Sequence, residues 1–371
     1  MKIKTVYMDI EEVLAQPVQQ HVYPKRPNIF FRMLLRAVSA PDLKAINFKY
    51  REFEMEKLGK KEPCLVLMNH SSFIDLKIAS TVLYPRPLNI VCTSDGFVGK
   101  ERLMRSLGCI PTRKFVTDTQ LVRDMMFALK KLKSSILMYP EASYTFDGTA
   151  TPLPAGLGKC VKLIGVPVVM IRTYGAFARD PLYNGLRLRK GDVSADISYI
   201  LSPEDIRTKT AEDINGILYE QFSFDNFKWQ QENNVKISEP FRAEGLNRVL
   251  YKCPHCGAEG SMESGGADIL CNACGKGYTL TEYGFMEAKE GKTEFPHIPD
   301  WYAWERDCVR QEILKGSYKL DVPVDIYMMV NTRKVYGIGE GRLTHGENGF
   351  RLTGCNGKLD YHQHPLASYS L

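Results

Sequence analysis

The chain has 371 residues, which is too long for one compact domain, so we expect two or three. Hydrophobic residues make up 44% and charged residues 25%, which excludes a disordered protein, and no run approaches the roughly 18–20 apolar residues of a membrane-spanning helix. The formal net charge is +6, and ten cysteines without an evident secretory signal indicate a cytoplasmic, reducing setting in which cysteines bind metal rather than form disulfides.

The basic residues concentrate near the N-terminus. Seven lysines or arginines and one acidic residue lie between Gln20 and Arg51. Within this stretch, residues 29–38 have the pattern of a helix with Arg32 and Arg36 on one stripe and large apolar residues over the rest. Such a helix can lie in the interface of an anionic membrane; the alternative is a core-packed helix whose arginines reach solvent. We expect residues 1–44 to be a peripheral membrane-associating segment.

The next predicted elements lie on either side of a histidine, His70, and a carboxylate, Asp75. Residues 48–55 alternate like an edge strand, and the apolar run at residues 64–68 predicts a buried strand. His70 follows at the carboxyl end, the edge where open α/β sheets bind ligands. With Ser72 as N-cap and Asp75 at the third helical position, His70 in the preceding turn can contact Asp75. The alternative is a capping pair of Ser72 and Asp75 beside an ordinary loop histidine.

Strand and helix patterns then alternate along the chain. An amphipathic helix follows Thr117, which is the expected N-cap with Gln120 three residues later. Ser202 and Pro203 open another helix with cap and proline in the expected places. We expect strands at residues 88–93, 135–139, 166–173 and 195–201, and further helices at residues 72–83 and 158–164. This alternation predicts an α/β domain, a mixed sheet flanked by helices, at residues 45–223.

Four short motifs occur in the order in which the glycerolipid acyltransferases carry them. Asn69-His70-x-x-x-x-Asp75 resembles the signature of that family, and residues 108–113, 139–143 and 165–169 resemble its second, third and fourth blocks. The resemblance covers roughly residues 45–220. It implies transfer of a fatty acyl group from acyl-CoA or acyl carrier protein to the hydroxyl of a lysophospholipid, most directly 1-acyl-glycerol-3-phosphate.

The resemblance also implies roles for individual residues. His70 would be the base that activates the acceptor hydroxyl, and Asp75 would orient its imidazole and stabilise the imidazolium. No nucleophilic serine is needed, and the chain has no Gly-x-Ser-x-Gly elbow, which argues against an α/β-hydrolase. The expected substrate-binding residues are Asn69, Gly108, Arg113, Glu141 and Ser143.

The departures from the family pattern concern phosphate recognition. Ala142 stands where the family has glycine, Tyr144 stands where arginine is common, and the lysines frequent further downstream are missing. Arg113, with Lys114 or Lys159, would then contact the phosphate. The headgroup of the acceptor is therefore left open, with glycerol 3-phosphate or another lysolipid as alternatives.

A second motif lies beyond the polar stretch at residues 224–248, which we interpret as a linker. The pairs Cys253/Cys256 and Cys271/Cys274 have nearly the spacing of a zinc ribbon, and four thiolates make a closed, structural zinc site. We therefore expect a ribbon at residues 249–286 with one zinc ion, His255 being a weaker candidate ligand. Acidic residues outnumber basic ones here, which disfavours nucleic acid as a partner.

The remaining residues, 287–371, carry no motif. They suggest a helix at residues 301–314 and strands at residues 322–330, 334–343 and 350–353. We expect a small β-rich C-terminal region, and its lack of a clear stop signal suggests truncation. One alternative to an enzyme stays open: a non-catalytic zinc-ribbon adaptor that carries a decayed acyltransferase fold.

Overall fold

The computed structural model describes residues 5–113 and 118–365. The helices in this part of the chain are α1 (Ile10–Leu14), α2 (Ile29–Ala45), α3 (Asp75–Val82), α4 (Glu101–Ser106), α5 (Thr119–Lys130), α6 (Leu157–Ile164), α7 (Ala176–Arg179), α8 (Pro203–Thr208), α9 (Ala211–Phe222), α10 (Asn226–Glu232) and α11 (Ile298–Leu314). The strands are β1 (Thr5–Tyr7), β2 (Lys49–Phe53), β3 (Leu65–Met68), β4 (Leu88–Thr93), β5 (Cys109–Thr112), β6 (Ser135–Met138), β7 (Val168–Tyr174), β8 (Ser194–Leu201), β9 (Met262–Gly265), β10 (Asp268–Cys271), β11 (Gly277–Leu280), β12 (Met286–Ala288), β13 (Leu320–Met328), β14 (Val335–Gly346), β15 (Gly349–Gly354) and β16 (Leu359–Gln363).

The internal contacts divide the chain into two units. The first contains residues 1–32, 86–138 and 309–371, and the second contains residues 33–85 and 139–308. In the second unit, four strands run side by side in the order β2-β8-β7-β3. β2 is parallel to β8 and β3 is parallel to β7, whereas β7 and β8 are antiparallel. The predicted mixed sheet with flanking helices is therefore confirmed.

Local sequence explains the helices on this sheet. α8 and α9 each begin with a complete capping box, Ser202 with Asp205 and Thr210 with Asp213. The side chains of each pair accept hydrogen bonds from backbone N–H groups that have no partner inside the helix. α6 packs on α9 at Gly158, where a Cβ would collide with the carbonyl oxygen of Ala211. β3 is buried along its whole length, whereas β2 is exposed throughout, as an edge strand of a sheet can be.

The first unit carries two sets of strands. β6, β4 and β5 are parallel, and α5 packs on β5 and β6. The expected cap Thr117 lies outside the described residues; α5 is capped by Asp118, whose carboxylate accepts from the N–H of Leu121. A second sheet joins β13, β14, β15 and β16 in an antiparallel meander.

The second sheet also includes the start of the described chain. β1 pairs in parallel with β14, and α1 buries Ile10 and Val13 against Tyr336 and Ile338. Nothing in the sequence pointed to this pairing, because a three-residue strand is too short to show a periodicity. Residues 5–14 thus belong to the β-rich region and do not continue the basic segment that follows.

α2 exposes most of its apolar residues. Ser39 and Leu43 are its buried positions, whereas the side chains of Ile29, Phe30, Met33, Leu34 and Val38 are 44% to 63% exposed. Spacings of three to five residues place these side chains along one broad stripe. Among the described residues, no helix is long and apolar enough to cross a membrane.

The four cysteines lie at a small antiparallel sheet of the second unit, whose strand order is β12-β11-β10-β9 and whose strand β10 ends at Cys271. Its core is shared with other parts of that unit, because Cys253 and Cys271 are buried in one cluster with Phe177, Tyr183 and Phe227. The stretch at residues 224–248, interpreted above as a linker, contains α10 and contributes further buried side chains to this cluster.

Candidate active site

The loop after β3 is fixed to the neighbouring strand. Asn69 follows the buried strand directly, and its side-chain oxygen accepts the backbone N–H of Thr173 in β7 at 2.9 Å. Its amide nitrogen donates to Ser71 Oγ at 3.0 Å. Both ends of the Asn69 side chain are thus engaged within the fold, which holds the next residue, His70, at the carboxyl edge of the sheet.

His70 and Asp75 are in contact. The distance from His70 Nδ1 to Asp75 Oδ2 is 3.1 Å, and the same oxygen accepts the backbone N–H groups of Ser71 at 2.9 Å and Ser72 at 3.0 Å. Asp75 is fully buried, whereas the His70 side chain is 22% exposed. Because a carboxylate can only accept, the proton on a neutral His70 lies on Nδ1 and Nε2 keeps its lone pair.

The turn differs from the expected capping pair. α3 begins at Asp75 and not at Ser72. The Ser72 hydroxyl accepts the N–H of Ile74 at 3.2 Å and donates to Asp180 Oδ1, so it does not cap the third helical position. Asp75 supplies only the reverse half of a capping box, by accepting the Ser72 N–H. Asp180 is therefore the partner that holds Ser72 in the turn, and nothing near Ser72 in the sequence indicated it.

Two tyrosine rings lie against the His70 imidazole. The ring centroid of Tyr139 lies 4.1 Å from that of His70, and the Tyr144 centroid lies 4.2 Å away. Burial raises the pKa of Tyr144 to about 12 and that of Tyr139 well above its usual value, so both rings are neutral near pH 7. Such packing restricts rotation of the imidazole. Sequence reasoning treated Tyr144 only as a missing arginine.

Glu141 holds the backbone of the histidine. Its carboxylate accepts the N–H of His70 at 2.8 Å and the N–H of Thr151 at 2.8 Å. Burial, opposed by these two hydrogen bonds, raises the pKa of Glu141 to about 7. The hydroxyl of Ser143 is buried, and no partner for it occurs in the described chain. Ala142 has a φ of 61°, the left-handed conformation that glycine adopts without strain.

The remaining predicted substrate-binding residues, Gly108 and Arg113, belong to the first unit. Gly108 has a φ of 86°, and a Cβ there would approach the ring of Pro27 to 3.0 Å, so its glycine is a packing requirement. The Arg113 side chain is 64% exposed, and its guanidinium lies 3.6 Å from Asp118. Lys114 lies outside the described residues, and Lys159 is exposed on α6.

The four cysteine sulfurs form a compact cluster. All four Sγ atoms lie within 4.8 Å of one another, and the Cys253–Cys274 and Cys256–Cys271 pairs are each 3.8 Å apart. Sulfurs bound to zinc at about 2.3 Å in a regular tetrahedron would be about 3.8 Å apart, so the geometry fits. His255 instead lies 3.2 Å from Glu294. The cluster can hold one metal ion with four thiolates.

Two comparisons with known proteins found similarity to this chain. A family model described as Acyltransferase matches residues 50–173. The search of curated proteins gave no match. Among solved structures, the chain is similar to the 1-acyl-sn-glycerophosphate (LPA) acyltransferase PlsC from Thermotoga maritima, with 16% identity and a TM-score of 0.42 over 52% of this chain and 76% of that one. The family match covers residues 50–173 of the 371 and supports the resemblance seen in the sequence motifs.

Proposed function

We propose that the chain transfers a fatty acyl group from acyl-CoA or acyl carrier protein to the free hydroxyl of a lysophospholipid, with 1-acyl-glycerol-3-phosphate as the first acceptor to test. The observation that carries this proposal is the His70–Asp75 pair, 3.1 Å apart, with the carboxylate fully buried and the imidazole partly exposed. A histidine with a proton on Nδ1 and a free lone pair on Nε2 is the group that direct attack by a hydroxyl requires.

The proposed reaction uses His70 first as a base and then as an acid. The acceptor hydroxyl attacks the thioester carbonyl carbon while its proton passes to His70 Nε2, and the new C–O bond forms. The C–S bond then breaks, and the departing sulfur takes the proton back from the imidazolium. Asp75 stabilises the imidazolium between these steps by accepting a hydrogen bond from Nδ1. The rings of Tyr139 and Tyr144 restrict the rotation of the imidazolium.

Arg113 is the proposed contact for the phosphate of the acceptor. Its guanidinium is well exposed and only loosely paired with Asp118, so it can offer a forked, charge-assisted contact to phosphate. Arg113→Ala is expected to raise the KM for 1-acyl-glycerol-3-phosphate and to leave the KM for the thioester unchanged. Arg102→Ala, a second arginine of the same unit, is the matched control.

The four cysteines are proposed to hold a structural zinc ion. Four thiolates leave no open coordination position, so the metal would stabilise the fold and take no part in acyl transfer. Cys253 and Cys271 are buried in the core cluster, whereas Cys256 and Cys274 are at the surface.

The exposed stripe of α2 is proposed to bind an anionic membrane surface. Its five apolar side chains, Ile29, Phe30, Met33, Leu34 and Val38, are each 44% to 63% exposed. Insertion of such a helix into the headgroup region removes this apolar area from water, and the neighbouring basic residues add attraction to anionic lipid. This would bring the enzyme to the bilayer, where a lysophospholipid acceptor is found.

Turnover with a panel of acceptors tests the proposal. The purified chain is incubated with an acyl thioester and with 1-acyl-glycerol-3-phosphate, glycerol 3-phosphate or uncharged lysolipids, and free thiol release is measured together with the acylated product. We expect acceptor-dependent thiol release, fastest with 1-acyl-glycerol-3-phosphate. Preference for another acceptor would revise the headgroup. No turnover with any acceptor and either donor type would contradict the proposal and favour the non-catalytic adaptor.

A further inference from the structure

Asp180 connects the His70 loop to a separate part of the second unit. Its carboxylate is 1% exposed, accepts the hydroxyl proton of Ser72 and lies 3.3 Å from the guanidinium of Arg179. Ser72 stands two residues after His70, and its N–H is one of the three donors on Asp75 Oδ2. The position of Asp180 therefore limits where this turn, and with it the imidazole, can lie.

Asp180 belongs to a stretch that also contacts the four-cysteine module, by which we mean residues 249–288 with the four cysteines and β9–β12. We call residues 176–189 the anchor segment. Phe177 and Tyr183, on either side of Asp180, are buried in the cluster that includes Cys253 and Cys271. Phe177 also packs edge-on against Phe227, with ring centroids 5.6 Å apart. The contact with the turn that carries His70 and the contacts with the cysteine cluster are thus only three positions apart in the sequence.

Hydrogen bonds join the anchor segment to residues 241–246. The Tyr183 hydroxyl donates to the carbonyl of Arg242 at 3.0 Å, and Asn184 donates to the carbonyl of Glu244 at 2.7 Å. Gly245 lies so close that a Cβ there would collide with the carbonyl oxygen of Tyr183. This close approach leaves the anchor segment little freedom to move independently of residues 241–246.

Residues 241–246 are bonded in turn to the small sheet of the module. Arg242 Nε donates to the carbonyl of Leu280 in β11 at 2.6 Å, and the N–H of Ala243 donates to the carbonyl of Gly266 at 2.9 Å. The strands of this sheet have three or four residues each, too few to be stable alone. Metal binding by the four cysteines is the step that would make such a sheet fold.

We infer that Asp180 is a positioning residue for His70 and that the metal-loaded four-cysteine module fixes it through the anchor segment. The catalytic role of His70 in this inference rests on the proposed function, whereas the structural coupling does not. Loss of the metal is expected to loosen β9–β12, then residues 241–246 and the anchor segment, and finally the Ser72–Asp180 hydrogen bond. The module would thus control the geometry of the candidate active site without touching the substrate.

Hydrogen exchange measured by mass spectrometry tests the inference on the full chain, without any need for activity. The zinc-loaded chain is compared with the chelator-stripped chain in peptides covering residues 68–76, with α5 as the reference. Stripping is expected to speed exchange at residues 68–76 about tenfold, the equivalent of one lost hydrogen bond, and to leave α5 unchanged. Unchanged exchange at residues 68–76, with faster exchange at residues 253–274, would overturn the inference.

Variants of Ser72 and Asp180 test whether the coupling between the module and His70 depends on their hydrogen bond. In Ser72→Ala, exchange at residues 68–76 is expected to be fast already, and stripping should add little. Asp180→Ala should behave in the same way, whereas Asp180→Asn, whose amide oxygen can still accept the Ser72 proton, should keep the protection. Equal responses to stripping in wild type and Ser72→Ala would mean that the coupling bypasses this hydrogen bond, and would overturn the role given to Asp180.

A variant that retains the metal covers the case in which stripping unfolds the whole chain, including α5. Phe177→Leu weakens the packing of the anchor segment but leaves all four cysteines in place. In the zinc-loaded variant, exchange at residues 68–76 is expected to rise while α5 stays protected. No change at residues 68–76 would overturn the inference.

Kinetics distinguish this inference from the proposed function. Ser72→Ala is expected to lower kcat about tenfold with little change in the KM for the thioester, because the substrate contacts remain and only the base is misplaced. A wild-type kcat in this variant would count against positioning. Absence of any turnover by the wild type would refute the proposed function. The exchange results would still show whether the four-cysteine module is coupled to residues 68–76.

Discussion

Replacing Asp75 with asparagine separates the charge of this buried carboxylate from its hydrogen bonds. Asp75 Oδ2 accepts from His70 Nδ1 and from the backbone N–H groups of Ser71 and Ser72. The backbone groups can only donate, so Asp75→Asn must turn its amide oxygen toward them. That oxygen then also accepts from His70 Nδ1, so the histidine keeps its tautomer and only the negative charge is lost.

The size of the effect follows from these contacts. A hydrogen bond to a charged group contributes about 1.5–3 kcal/mol and a neutral one about half as much, so the barrier should rise by about 0.8–1.5 kcal/mol. This corresponds to a kcat about 4- to 13-fold lower. The amide nitrogen takes the place of Asp75 Oδ1, which is buried without a partner in the described chain, so the free energy of unfolding should also fall by about 1–3 kcal/mol. Asp75→Ala leaves two buried backbone N–H groups unmatched, and each costs about 1–3 kcal/mol, so the free energy of unfolding should fall by about 2–6 kcal/mol.

The assay combines kcat at saturating acceptor with urea unfolding of the same preparations. Wild-type turnover by Asp75→Asn would refute the role of the carboxylate in stabilising the imidazolium. A loss of about four orders of magnitude accompanies a wrong histidine tautomer in a catalytic triad, and would show that the backbone donors do not orient the amide.

Three further predictions concern metal, membrane and pH. Cys271→Ser is expected to lower bound zinc from one equivalent to well under one by native mass spectrometry, because it removes a buried thiolate ligand. Replacing Phe30 and Leu34 together with aspartate is expected to release the chain from anionic vesicles in co-sedimentation, since it removes exposed apolar area and adds repulsion. Burial raises the pKa of Glu141 from 4.5 to about 7, so the native state holds a proton that the unfolded state releases, and stability falls as pH rises between these values. Glu141→Gln is expected to remove this fall, which amounts to up to about 3 kcal/mol.

Matched controls accompany these predictions. Full zinc loading of Cys271→Ser would contradict the proposed ligand set, and Cys308→Ser, outside the cluster, should load normally. Unchanged vesicle binding would contradict the proposed membrane-binding face of α2. Leu314→Asp, which changes an exposed leucine outside α2, is the control and should bind vesicles like the wild type. The same dependence of unfolding free energy on pH in wild type and Glu141→Gln would contradict the raised pKa of this carboxyl group.

The approach of His70 to Asp75 was predictable because it depends on local sequence. A buried strand, a turn and the first helical turn bring the two residues together over a separation of five positions. The hydroxyl of Ser72 was assigned to the helix cap on the same local grounds, but its partner Asp180 is 108 residues away. A contact at that distance in sequence depends on how β3 and β7 pair, which a single sequence does not reveal.

Other features were missed because pattern and composition are indirect evidence of packing. Tyr144 was interpreted as the loss of an arginine, whereas its ring lies on the His70 imidazole. Residues 224–248 are polar on average, yet Phe227, Ala243 and Leu246 are buried among residues of the four-cysteine module. A few apolar side chains at the right positions are enough to tie such a stretch to a core, and average polarity conceals them.

Turnover by His70→Ala tests whether the imidazole of His70 is the base for acyl transfer. Thiol release from the acyl thioester is measured with the best acceptor of the panel, for wild type, His70→Ala and His362→Ala, a surface histidine of β16 that serves as control. Zinc content and melting temperature are measured on the same samples. We expect His70→Ala to lose acyl transfer while its zinc content and melting temperature match the wild type, and His362→Ala to be fully active. Equal turnover by wild type and His70→Ala would contradict this role of His70.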